Sequence, residues 1–210
     1  MYIPDHFKEE RATVLHELMR AHPLAAIVTC GRRGLMADHV PLLLDPKPAA
    51  YGKLRGHVSK ANEQWRELGQ GGEVLAIFSG AEGYISPSWY PTKQETGRVV
   101  PTWNYVAVHA YGAVRLFEET GELRAFLEAL TEEHEHEFSP PWEINDAPPA
   151  YVEGQLHAIV GFEITITRLE GKWKMSQNRS TADRAGVVAG LSERGEDSLA
   201  QTLDKSFSAE

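Results

Sequence analysis

Apolar positions along the chain recur with two periods, and each period marks out its own elements. Phe7, Arg11, Val14, Leu15 and Leu18 share one helical face, with acidic residues early, so residues 7–20 are predicted to form an amphipathic helix after Pro4 and Asp5. The period then shortens. Residues 24–30 are an apolar run suited to a buried strand, the glycines at 31 and 34 bracket a turn, and residues 35–44 return as a second strand that ends at Asp45 and Pro46. Further strands are predicted over 50–58, 73–78 and 82–86, with a short helix over 60–68 and a proline-rich loop from Pro87 to Pro101.

The longest strand pattern covers residues 104–117. Val106, Val108, Ala110, Val114 and Leu116 take one face and Tyr105, His109, Tyr111 and Arg115 the other, a two-sided use that suits a barrel wall. Residues 120–138 read as a helix with Leu123, Phe126, Leu127 and Leu130 inward, stopped by Pro140 and Pro141. A short helix is predicted over 149–156. Residues 159–169 alternate again, and Glu170-Gly171 reads as a turn into Lys172-Trp173-Lys174. The tail from Thr181 reads as one or two helices. Short antiparallel strands with interspersed helices indicate an α+β or β-barrel architecture, and no linker is long enough to separate independent domains.

Composition narrows the function classes. The chain has 210 residues, with 21 Lys+Arg against 30 Asp+Glu, a formal charge of -9. Phosphate backbones are held mostly by clustered lysine and arginine, so this balance argues against nucleic-acid binding. A helix-turn-helix in the tail is disfavoured for the same reason, because Arg184, Arg194 and Lys205 are outweighed by Asp183, Glu193, Glu196, Asp197 and Asp204. The single cysteine, Cys30, cannot form an internal disulfide and fits a reducing cytoplasm. No basic and apolar leader or run of about 18 apolar residues is seen, so no membrane association is expected.

Four segments could carry chemistry. Gly56-His-Val-Ser-Lys-Ala-Asn62 lies where a strand is predicted to run into a helix, and Ser59 and Lys60 there could meet a phosphate; equally, Ser59 could simply cap the helix. Tyr84-Ile-Ser-Pro-Ser-Trp-Tyr90 and Pro101-Thr-Trp-Asn-Tyr105 concentrate aromatics and small polar groups at the two ends of one loop, suited to a planar ligand or to a core or dimer interface. Lys174-Met-Ser-Gln-Asn-Arg179 is a dense run of donors after a strand. His134-Glu-His-Glu137 lacks the spacing of a helical zinc site, and no nucleophile elbow, Walker loop or dinucleotide fingerprint occurs.

Together with Met1-Tyr-Ile-Pro-Asp-His-Phe7 and Val100, these segments resemble the PaiB family over nearly the whole chain. The resemblance implies an FMN-binding split β-barrel like that of pyridoxamine-phosphate oxidases, an antiparallel barrel with flanking helices. Residues 1–180 would form this domain and 181–210 a helical extension packed on it. It also implies a homodimer with flavin at the subunit interface, and a negative transcriptional regulator or flavin-dependent sensor. The implied FMN contacts are His39 and Val40 on the second strand, His57, Ser59, Lys60 and Asn62 at the phosphate corner, Ser86, Ser88 and Trp89, then Trp103, Asn104 and Tyr105, and finally Lys174, Gln177 and Arg179. Glu63 departs from the family pattern, where a proline is usual, and should affect the helix start more than phosphate contact. The alternatives are an FMN-dependent oxidoreductase, for which no residue is a compelling acid or base, and a cofactor-free or haem-binding split barrel with His39, His57 or His109 as axial ligand.

Overall fold

Buried and half-exposed side chains alternate along the strands as period-two patterning requires. In the strand Lys53–Ser59, Leu54, Gly56 and Val58 are buried while Lys53, Arg55 and His57 are half-buried. The computed structural model describes residues 1–47 and 49–208. Its strands are β1 (Lys8–Glu9), β2 (Leu24–Gly31), β3 (Gly34–Pro41), β4 (Leu43–Asp45), β5 (Lys53–Ser59), β6 (Glu73–Ile85), β7 (Thr102–Phe117) and β8 (Ile159–Lys174). The helices are α1 (Ala12–Ala21), α2 (Gln64–Leu68), α3 (Thr92–Thr96), α4 (Thr120–Glu135), α5 (Pro149–His157), α6 (Thr181–Glu193) and α7 (Asp197–Ser208). The sheet order is β3-β2-β6-β7-β8-β5-β4, with β1 paired to β8.

The chain divides into two compact units, each assembled from separated stretches, and β6, β7 and β8 contribute residues to both. The first unit comprises Met1–Ala21, Phe78–His109 and the chain from Glu170 onward. Here β1 pairs antiparallel with β8, Lys8 opposite Lys172 and Glu9 opposite Gly171. Leu15, Met19, Phe78, Ile85, Val108, Met175, Val187, Leu191 and Leu203 are buried in this unit. The helices expected after Thr181 form here as α6 and α7, which pack on each other; residues 209 and 210 of the expected extension lie outside the described residues.

The second unit comprises His22–Ile77 and Ala110–Leu169. β2 and β3 form the expected hairpin, in register Ala26↔His39 and Ala25↔Val40, and β5 pairs antiparallel with β8 in register Gly56↔Phe162. Phe117, Leu123, Phe126 and Leu156 form an apolar cluster that joins α4 and α5 to the strands, completed by Leu127, Leu130 and Val152.

Several expected boundaries move, each for a physical reason. Residues 73–85 are one continuous strand rather than two, because Ser79-Gly80-Ala81 contains no proline and leaves the ladder's donors in place. Glu170-Gly171 is not a turn. Gly171 lies opposite β1, where a Cβ would come 2.7 Å from the Glu9 carbonyl oxygen, so the glycine serves a close strand approach. The first helix begins at Ala12, after a 3-10 turn over Asp5–Phe7 and the short β1. The strand expected over 35–44 breaks after Pro41, with the Leu42 amide turned to the Pro23 carbonyl at 2.9 Å.

Candidate functional site

The residues expected to bind a cofactor fall into two groups, one in each unit. In the second unit, β5 delivers His57 and Ser59, and Lys60 to Glu63 form a turn before α2 begins at Gln64. This shortens the expected helix and changes the chemistry of the corner. Main-chain donors on either side of Glu63 already have acceptors: Lys60 N–H donates to the Ala158 carbonyl (2.8 Å), Asn62 N–H to the Ser59 carbonyl (2.9 Å) and Gln64 N–H to Asn62 Oδ1 (2.9 Å). Ala61 N–H donates to Ser59 Oγ at 3.2 Å. An incoming phosphate would therefore meet chiefly side chains, the Ser59 hydroxyl and the Lys60 ammonium.

Three neighbours shape that corner. Glu118 holds Lys60 Nζ at 3.1 Å, so a phosphate would have to displace a carboxylate. Asp38 on β3 accepts from Asn62 Nδ2 at 2.8 Å, which fixes the turn to the hairpin. The buried Gln64 amide reaches the Ile27 carbonyl at 2.8 Å and ties α2 to β2. His57 points at the apolar cluster, its ring 5.9 Å from Phe126 edge to face, and burial holds its pKa below the ordinary histidine value. Among the described residues its buried Nδ1 has no hydrogen-bond partner. On β3, His39 is exposed and Val40 is buried.

The other group lies in the first unit. Asn104 is buried and donates from Nδ2 to Ser176 Oγ at 2.9 Å. Ser176 adopts a left-handed backbone with φ of 61°, which costs a residue with a Cβ on the order of 1 kcal/mol or more. The bond from Asn104 helps to hold it there. The tight turn carries Arg179 back, its N–H on the Ser176 carbonyl at 3.0 Å and its guanidinium 4.9 Å from the centre of the Tyr90 ring. Gln177 closes the same turn, donating to the Trp173 carbonyl (2.6 Å) and accepting from the Met175 N–H (2.7 Å). Lys174 Nζ donates to Thr102 Oγ1 at 2.5 Å and to the Trp103 carbonyl. Burial, then the nearby charges of Lys172 and Arg179, push the Lys174 pKa below the ordinary lysine value.

The aromatic segments differ in exposure. Tyr84 and Trp103 form an edge-to-face pair at 6.2 Å and are 40% and 48% exposed, with the Trp103 indole N–H on Glu82. Lys172 Nζ stands 5.2 Å from the centre of the Tyr105 ring. Ser86 Oγ accepts from the Ser88 N–H at 3.2 Å, and Ser88 Oγ accepts from Lys93 Nζ at 3.3 Å. Trp89 is seated on α6, where a Cβ at Gly186 would collide with its carbonyl oxygen and a Cβ at Gly190 with its indole ring. Asp183, buried on α6, anchors the following residue run by accepting from Thr92 N–H (3.1 Å) and Thr92 Oγ1 (2.8 Å).

Lys172, Asp38 and Glu118 are not among the residues expected from the sequence, and Ser176 is expected only as part of the run 174–179. Of these three, Lys172 carries a local signal, since it precedes Lys174 by two residues and therefore shares its face of β8. Two cavities of about 430 and 440 Å³ open on the surface. The smaller, in the first unit, has Gln177 and Trp173 in its wall; the larger, between α4 and residues 141–145, contains none of the expected residues. Among the described residues, no cluster of His, Cys, Asp or Glu is placed to hold a metal, and no helix is long and apolar enough to cross a membrane.

A model of the family described as "Putative FMN-binding domain" matches residues 1–168. Uncharacterized protein AN0679 of Emericella nidulans is 37% identical, over 94% of this chain and 92% of its own. The protease synthase and sporulation protein PAI 2 of Bacillus subtilis is 34% identical, over 91% and 89%. Among solved structures, the flavocytochrome Anf3 from Azotobacter vinelandii superposes with a TM-score of 0.64 at 13% identity, covering 88% of this chain and 78% of its own. An FAD and heme binding protein from Mycobacterium smegmatis gives 0.59 at 14% identity, covering 84% and 77%. The fold is thus the expected α+β split barrel, an antiparallel sheet with flanking helices.

Proposed function

The chain belongs to the PaiB-type FMN-binding domain family, with FMN as its cofactor, and from that premise we propose that it is a cytoplasmic homodimer that works as a flavin-responsive negative regulator. The observation that carries the cofactor placement is the Ser59–Lys60 corner. A hydroxyl and an ammonium stand there on a turn whose amides at Lys60, Ala61 and Asn62 are already bonded, so the turn need not rearrange to present them. FMN supplies redox chemistry when bound; the protein's part is to hold and orient it. Ser59 and Lys60 take the phosphate, with His57 and Asn62 shaping the corner and His39 and Val40 on the neighbouring hairpin. Ser86, Ser88, Trp89, Trp103, Asn104 and Tyr105 flank the ring, and Gln177 with Lys174 and Arg179 borders it. In this reading Trp103, Asn104 and Tyr105 reach the ring from the partner subunit. The partly exposed Tyr84 and Trp103 support a subunit contact, since a partner would cover apolar rings that otherwise face water.

The regulatory role follows the relative named for protease synthesis and sporulation. It operates without direct contact to an operator, because a dimer of chains at -9 each approaches DNA against long-range repulsion. The absorption spectrum of the purified protein tests the flavin, and a haem band in its place would overturn the reading. Rapid turnover of NAD(P)H by the loaded protein would make it an oxidoreductase instead. Labelled promoter fragments titrated at several salt concentrations should show no specific affinity tighter than the non-specific range of roughly 10⁻⁴–10⁻⁶ M. Nanomolar, salt-sensitive binding lost on deleting α6 and α7 would restore a DNA-binding tail.

A further inference from the structure

We propose that Lys172, Lys174 and Arg179 form a binding site for the anionic group, a phosphate or a carboxylate, of a small molecule other than FMN. The proposal rests on the flavin reading in one respect, that Ser59 and Lys60 take the FMN phosphate. Lys172 and Lys174 stand two residues apart on β8 and so share one face. A tight turn follows, in which the Ser176 carbonyl accepts from the Arg179 N–H at 3.0 Å, and Arg179 lies near enough to Lys174 to oppose its charge. The direct partners of all three cations are neutral: Lys172 Nζ donates to the Tyr2 carbonyl at 3.0 Å and lies 5.8 and 5.2 Å from the Tyr2 and Tyr105 ring centres. Lys174 has a hydroxyl and a carbonyl, and Arg179 has the Tyr90 ring. Among the described residues, none of the three has a carboxylate within ion-pair distance.

That is a costly arrangement. Lys172 is only 8% exposed, and a buried cation without a counter-charge keeps most of its desolvation penalty. It is also anomalous in a chain whose acids outnumber its bases, where carboxylate partners are plentiful. The depressed Lys174 pKa reports the same imbalance, since burial and its two cationic neighbours oppose its charge. A bound anion would relieve all three at once. Arg179 offers a planar fork and the lysines offer point charges, a donor set that matches phosphate or carboxylate oxygens. Lys174 bonds the Trp103 carbonyl and Lys172 faces Tyr105, so the anion would stand beside two of the aromatics proposed to flank the flavin. The second ligand, effector or substrate, is therefore acidic.

The test separates this anion from the phosphate of FMN. FMN and riboflavin affinities are measured for the full-length wild type, Lys60→Ala, Lys174→Gln and Arg179→Gln, and inorganic phosphate is titrated into each flavin-loaded protein while its visible spectrum is followed. Riboflavin keeps the flavin occupied where the FMN phosphate contact has been removed. The expected result is a saturable spectral change with phosphate, weakened at least tenfold by either Lys174→Gln or Arg179→Gln, while the preference for FMN over riboflavin falls at least tenfold only in Lys60→Ala. Absence of a saturable change, or its survival in both cluster variants, would overturn the proposal. So would collapse of the FMN preference in the cluster variants, which would make these cations the FMN phosphate site. If the wild type takes up no flavin, the flavin reading fails separately; phosphate-dependent rise of the melting temperature, lost in the cluster variants, then still reads the anion site. Arg179, on the turn, provides the reading if Lys174→Gln does not fold.

Discussion

The region around β5 in the second unit and the end of β8 in the first both set lysine and arginine beside aromatic rings, but they balance the charges differently. Around β5 every cation has a carboxylate: Lys53 meets Glu163 at 2.8 Å, Arg55 meets Asp45 at 2.7 Å, and Lys60 meets Glu118 at 3.1 Å. At the end of β8, Lys172, Lys174 and Arg179 meet carbonyls, a hydroxyl and rings. The same residue types thus serve two purposes. Where the partner is built in, the pair fixes neighbouring elements and an outside anion must compete for the cation. Where it is missing, the fold carries a strained charge that an outside anion can satisfy.

The sharpest way to break this comparison is to remove one lysine from each region. Lys53→Met leaves the half-buried Glu163 without its closest cation and should lower unfolding free energy by about 1.5–3 kcal/mol, as loss of a hydrogen bond to a charged group does. Lys172→Met should have the opposite sign, a gain on the order of 1 kcal/mol, because an uncompensated buried charge is replaced by an apolar chain of similar length. Urea denaturation of both variants decides it, and equal destabilisation would mean that the carbonyl and rings compensate Lys172 as well as a carboxylate would.

Next in size is the competition at Lys60. Lys60→Ala should weaken FMN roughly tenfold to a hundredfold, the loss of about 1.5–3 kcal/mol in a charge-assisted contact. Glu118→Gln should strengthen it by no more than about fivefold, since exposed pairs contribute up to about 1 kcal/mol. Flavin fluorescence titration measures both, and unchanged affinity in Lys60→Ala would move the phosphate elsewhere.

The smallest expected effect sharpens the contrast through pH. Burial keeps the folded-state pKa of His57 below its ordinary value of 6.5, so the unfolded chain takes up the proton first as pH falls. Its contribution to stability is complete above about 6.5 and is lost progressively from there down through the lower folded value. Denaturation of the wild type and His57→Gln across that window should show a shallower fall for the variant. Parallel curves would mean that the imidazole is protonated within the fold.

Local patterning made much of this legible. The two-sided alternation of Val106, Val108 and Ala110 against Tyr105 and His109 reads directly as a strand over 104–117, which the fold extends back to Thr102, and Thr120 opens α4 where the 3.6-residue period begins. Patterning failed where glycine had a second use. Gly171 reads as a turn signal and a break is expected over residues 79–81, yet both lie inside long strands, and Gly171 is required by the neighbouring strand β1, which the local window does not contain. For the candidate site, the residue types were readable and their partners were not. Asn62 is held by Asp38, 24 positions away, and Asn104 by Ser176, 72 positions away. Whether a lysine finds a carboxylate depends on such distant pairings, so charge balance emerges only with the fold.

The seat of Trp89 on α6 bears on where this chain can be cut. The family match ends at residue 168, a natural-looking boundary for a minimal fragment. A fragment stopping there would keep the indole and lose Gly186 and Gly190 beneath it, and would keep Thr92 while losing Asp183. The exposed ring and the released peptide would make the shortened protein adhesive, and self-association of such a fragment would reflect a missing lid rather than a native subunit contact. Affinity tags and fusion partners belong beyond α7, and dimerisation is best measured on the chain with its last two helices in place.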